Sequence, residues 1–144
     1  MIKRIYKVLQ KYPLSISVLL AIVYLSFFKP PTISIVKVRN IDKLLHFVMY
    51  GGFCSVLWLE YFLTHSKVSM KRIFWWGIIA PVILSGLIEL GQSCLTDYRG
   101  ADFLDFVFNS LGVICAVLFS VYVTRPLMKK YKLWGKRKEC VDKD

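Results

Sequence analysis

Four apolar runs, at residues 14–28, 44–64, 73–95 and 103–124, leave this chain few ways to fold. A bilayer core of ~30 Å asks for about 20 residues of apolar helix per crossing, and each run falls near that length. A soluble domain of 144 residues does not usually carry 56% hydrophobic residues in uninterrupted stretches of this kind. Disorder is excluded on the same ground. The expected architecture is an all-α membrane protein, a four-transmembrane-helix bundle forming a single domain over residues 1–144.

The first run is the shortest. Tyr12 and Pro13 extend it, and proline is tolerated in a first helical turn. Lys3, Arg4, Lys7 and Lys11 in front of it resemble the basic start of a secretory signal. No small-residue cleavage site follows, because the run exits into Phe27, Phe28, Lys29, Pro30 and Pro31, so a retained anchor is expected.

Orientation follows from the basic residues, which favour cytoplasmic loops. Of 20 Lys and Arg, fifteen lie before the first run, between the second and third, and after the fourth; five lie in the other two connections. Both termini are therefore expected on the cytoplasmic side of a membrane crossed several times, with the connections at 29–43 and 96–102 outside. The basic tail at 125–144 accompanies no nucleic-acid-reading element, and attraction to anionic lipid headgroups accounts for it without a nucleic-acid partner. Cys54, Cys94, Cys115 and Cys140 have no metal-binding spacing and fall at different depths, so small apolar packing roles are expected of them.

Ionisable and amide groups inside the runs carry the functional information, since hydrocarbon penalises them. Asp42, His46 and Tyr50 repeat at i, i+4, i+8; Ser85, Gly86, Glu89, Gln92 and Ser93 form a second stripe, and Asp102, Asp105, Asn109, Gly112 and Ala116 a third. Small residues in such stripes allow close helix approach. The expected topology gathers Asp42, Lys43, His46, Glu89, Gln92, Arg99, Asp102, Asp105 and Asn109 at the outer end. Glu60 is the exception, expected to be structural at the cytoplasmic end beside Lys67 or Lys71.

Glu89, Asp102 and Asp105 cannot all ionise cheaply without compensation or proton sharing, and Arg99, Lys43 and His46 are the available cations. Two uses of the cluster are open. In the first, Arg99 and Lys43 receive phosphate or carboxylate, Gln92 and Asn109 donate hydrogen bonds, and Asp42, Tyr50 and Asp102 line the site. In the second, Glu89 or Asp105 acts as a general base with His46 as proton partner, and Arg99 steadies an oxyanion. A salt-bridge network that only fixes helix register is the structural alternative. No cofactor is expected. A divalent cation is compatible with the carboxylate and histidine set, although no HExxH spacing is present. Oligomeric state stays open.

The segments Asp42-Lys43-Leu44-Leu45-His46-Phe47-Val48-Met49-Tyr50, Glu89-Leu90-Gly91-Gln92 and Arg99-Gly100-Ala101-Asp102-Phe103-Leu104-Asp105, with Asn109 and Gly112, follow a DKxxHFxxY, ExxQ, RxxDxxDxxxNxxG pattern. In these motifs the chain resembles the VanZ-like membrane protein family across roughly residues 40–120. The resemblance implies a small bacterial inner-membrane protein. Its founding member is associated with low-level resistance to teicoplanin, a lipoglycopeptide that acts on cell-wall precursors. A lipid-linked wall precursor or a lipoglycopeptide, besides the lipid bilayer itself, is the implied partner.

Overall fold

The computed structural model describes residues 2–28, 41–65, 68–95 and 102–141. Within these residues the helices are α1 (Ile2–Lys11), α2 (Pro13–Phe27), α3 (Ile41–Thr64), α4 (Met70–Leu95), α5 (Phe103–Phe119) and α6 (Arg125–Val141). Among the described residues, three helices are long and apolar enough to cross a membrane: α3, α4, and the continuous stretch Phe103–Leu133. α2 is apolar but has 15 residues, about 22 Å at 1.5 Å per residue. Large apolar side chains such as Leu87, Leu90, Phe103 and Phe119 point outward, as lipid contact requires. The four expected apolar runs thus all emerge as helix. The fourth does not stop where hydrophobicity does, and runs on through the basic tail.

Two prolines shape the long helices. Pro81 and Pro126 each lack an N–H and would press on the carbonyl four residues back. Directly before each, the chain widens into a π turn, at Ile73–Ile79 and Ser120–Thr124. There the Ala80 N–H donates to the Trp75 carbonyl and the Arg125 N–H to the Ser120 carbonyl, five residues back instead of four.

α3 and α5 run parallel and make the most extensive helix contact. Their closest approach is at Gly112, where an added Cβ would collide with the Phe47 carbonyl oxygen and lie 3.1 Å from the Gly51 nitrogen. Around this crossing lies one core of Ile22, Tyr50, Phe53, Cys54, Ile88, Val113 and Ala116. A second core, of Trp58, Phe62, Ile73 and Val117, fills the other end. Cys54 is buried as a small core residue, whereas Cys94 and Cys115 are exposed free thiols.

Glu60 has a different partner from the expected one. Its carboxylate accepts from Leu14 N at 2.9 Å, Ser15 N at 3.0 Å and Ser15 Oγ at 2.5 Å. These are orphan donors of the first turn of α2, which Pro13 opens without a side-chain cap of its own. A negative charge here also meets the positive end of the helix dipole. Lys71 is exposed and Lys67 lies outside the described residues. The role is structural as expected, but the carboxylate caps a helix remote in sequence instead of reaching a lysine. Glu60→Ala is expected to cost about 2 kcal/mol of stability by loss of this cap. Glu60→Gln, which keeps one acceptor, is expected to lose less in detergent thermal unfolding; equal losses would assign the whole effect to charge.

Candidate functional site

The polar stripes meet at the end of the bundle where α3 and α5 begin and α4 ends. Asp102 forms the entrance and also starts α5, its Oδ1 accepting from Leu104 N at 2.8 Å. Lys43, on the first turn of α3, donates to Asp102 Oδ2 at 3.0 Å and lies 3.8 Å from both Asp42 Oδ2 and Asp105 Oδ1. Asp42 and Asp102 keep about half of their side-chain surface open, at 54% and 44%, while Asp105 retains 9%. Charge therefore runs from a wet rim inward along Lys43.

Below the rim, His46 sits between two buried carboxylates. Its Nε2 is 3.4 Å from Asp105 Oδ2 and its Nδ1 is 3.6 Å from Glu89 Oε1. Asn109 completes the group: its Nδ2 donates to Glu89 Oε1 at 3.3 Å, leaving Oδ1 to face His46 Nδ1 at 3.1 Å. An amide oxygen only accepts, so this orientation puts a proton on Nδ1. A further proton is needed between Nε2 and Asp105 Oδ2, since two lone pairs would otherwise oppose each other. A proton placed there would be shared by His46 and Asp105. Asp105 Oδ1 has no hydrogen-bond partner, and neither has the buried Tyr50 hydroxyl one turn beyond His46. Such orphaned groups cost about 1–3 kcal/mol each and are worth an explanation where they gather.

One atom each from His46, Glu89 and Asp105 lies within 4.8 Å of the others, close enough to surround a cation. The mixed nitrogen and oxygen donors suit a divalent transition metal, with Asp105 Oδ1 as a spare ligand atom. Lys43, 3.8 Å from that oxygen, supplies positive charge at the same place and competes with such an ion.

Other expected members fall elsewhere. Gln92 is buried, but its amide donates to the Ser26 carbonyl at 2.8 Å and ties α4 to the last turn of α2. Ser93 is exposed, so the inward face of α4 is Ser85, Ile88, Glu89 and Gln92. Gly112 and Ala116 are buried at the α3–α5 contact. Arg99 lies outside the described residues. Sequence spacing predicts the faces but not these pairings, because Ser26 carries no pattern that marks its carbonyl as a partner.

Asp102 lies just before the apolar stretch that begins at Phe103. The Lys43 ammonium, followed by the Leu104 N–H, holds its carboxyl below the ordinary carboxylate range. A depressed folded-state value stabilises the fold above the unfolded value of about 3.9, and that contribution is lost as pH falls through the folded value. Asp102→Asn keeps a good helix cap and removes the ion pair. The melting-temperature difference between wild type and Asp102→Asn is expected to be constant near neutral pH and to vanish below the carboxylate range. A difference that persisted in strong acid would refute the assignment.

Fold and cluster together define a helical membrane protein with a histidine and two carboxylates buried at one end of its bundle. The chain belongs to the VanZ/LLP1 family, whose model matches residues 3–124. No curated protein and no solved structure matches it.

Proposed function

We propose that this VanZ-type membrane protein crosses the bacterial cytoplasmic membrane four times with both termini inside, and that the Asp42, Lys43 and Asp102 rim opens outward to receive a cell-envelope molecule. The supporting observation is the segregation of charge. The His46, Glu89 and Asp105 cluster lies at one end of the bundle, and Arg125, Lys129 and Lys132 at the other. A phosphate or carboxylate on a lipid-linked wall precursor or a lipoglycopeptide would exchange with Asp102 for Lys43, and Arg99 would join from the adjoining connection.

Two native thiols test the orientation. A membrane-impermeant maleimide is expected to label Cys94 in intact cells and Cys140 only after permeabilisation; the reverse pattern would overturn the outward site. Teicoplanin susceptibility and capture of wall precursors are expected to change in Lys43→Ala and Glu89→Gln variants that insert normally. Unchanged values in both would remove the binding reading.

A second reading, catalysis on a membrane-embedded lipid or lipid-linked substrate, is favoured by His46 lying between two buried carboxylates. In it Glu89 or Asp105 removes a proton and His46 relays it. Lipid and precursor profiles of cells with and without the protein separate the two readings, because a catalyst changes a covalent product.

A further inference from the structure

At the opposite end of the bundle, a cavity of about 300 Å³ opens between the last turn of α3 and the first two turns of α6. Arg125, Lys129 and Lys132 line one side of it, at the i, i+4, i+7 spacing that places three cations on one helical face. Phe62 and Val68 line the other, and Leu133 adds an apolar side chain one turn beyond Lys129. We infer that this cavity binds the phosphate of an anionic phospholipid, with the attached acylglycerol against the apolar wall.

Three observations carry the inference. Among the described residues, no carboxylate forms an ion pair with any of these three cations, whereas Lys43 at the other end has three carboxylates within 3.8 Å. Gathered and uncompensated positive charge favours an anion. Lys132 then fixes the shape: its Nζ donates to the Phe62 carbonyl at 2.7 Å, which satisfies an orphan acceptor at the end of α3. The same contact offsets the negative pole of that helix, which would otherwise repel an anion. The cradle is therefore preformed. Finally, the mixed cationic and apolar lining fits an amphiphile. Arg125 and Lys129 match a phosphate, while Phe62, Val68 and Leu133 have nothing to offer a free ion in water.

Depth agrees with chemistry. Trp75, Trp76 and Tyr131 are exposed at this end of the bundle, as in the aromatic belts that sit at headgroup level. Basic pockets between helices at that level bind anionic headgroups. The His65 ring, which stacks on Tyr61 at 4.4 Å between centroids and bonds to Thr64, forms a fixed back wall. This site stands apart from the acid–base cluster and does not depend on the reading given to it.

Native mass spectrometry of the full chain, released from nanodiscs of phosphatidylglycerol mixed with phosphatidylcholine, tests it. Phosphatidylglycerol is expected to be retained selectively. Arg125→Gln/Lys129→Gln is expected to reduce that retention roughly tenfold, since both exposed cations contribute near the surface. Lys130→Gln, a neighbouring exposed lysine outside the cavity, is expected to leave it within about twofold. Equal losses per charge removed would show attraction to the whole basic helix and overturn the site. Displacement of the lipid by millimolar inorganic phosphate would overturn it in favour of a free-phosphate site.

Discussion

Replacing Gly112 with valine is expected to unfold the bundle more severely than any surface change. The Cβ position faces the Phe47 carbonyl oxygen, a backbone atom that no rotamer change can move aside. Alanine alone forces α3 and α5 apart, at a cost of about 1–3 kcal/mol, and valine adds to it. The damage reaches the site, because α3 carries Lys43 and His46 and α5 carries Asp105 and Asn109. Gly52 is the control, since nothing lies within 4 Å of its Cβ position. Gly52→Ala is expected to be neutral or to stabilise by about 0.5–1 kcal/mol through helix propensity. Thermal unfolding in detergent reads both; similar melting temperatures for Gly112→Ala and Gly52→Ala would refute the close crossing.

The other large effect concerns His46. Leucine at this position leaves Glu89 and Asp105 buried together without the imidazole between them. Removing one partner of a buried charge pair typically costs about 3–5 kcal/mol, mostly by stranding the other. If the carboxylates carry charge, neutralising one of them in the His46→Leu/Asp105→Asn double variant is expected to recover a substantial part of the loss. Stability measured on the full cycle gives the coupling directly. Additive losses would mean that His46 and Asp105 are not coupled, and the shared proton would have to be abandoned.

Much of this arrangement is legible in the chain before any coordinates. Asp42, His46 and Tyr50 had to share a face, and so did Asp105, Asn109 and Gly112, because the helical period allows nothing else. Antiparallel succession then brings the start of α3, the end of α4 and the start of α5 to one end. What sequence left open were pairings across helices. Glu60 reads as an isolated acid near an interface, and nothing in its neighbours signals that α2 begins against it. Gln92 and Asn109 sit on similar stripes, yet one anchors a backbone carbonyl and the other bridges Glu89 and His46. Such choices depend on distances of a few ångströms between segments far apart in the chain. The π turns are a different omission. Pro81 and Pro126 were visible signals, and inside apolar helices they mark where the hydrogen-bond ladder must be rerouted.

Those widened turns bear on how the chain tolerates changes in length. A π turn holds one residue more than the α-helical path between the same two faces. Removing a single residue within Ile73–Ile79 or Ser120–Thr124 therefore tightens the turn while leaving the faces on either side aligned, at the expense of crowding Pro81 or Pro126. The same deletion between Glu89 and Gln92 rotates Gln92 by about 100° away from the Ser26 carbonyl, and one between Asp105 and Asn109 breaks the cluster. Insertions and deletions should thus be absorbed away from the polar end, and length is most tightly constrained where the acids lie.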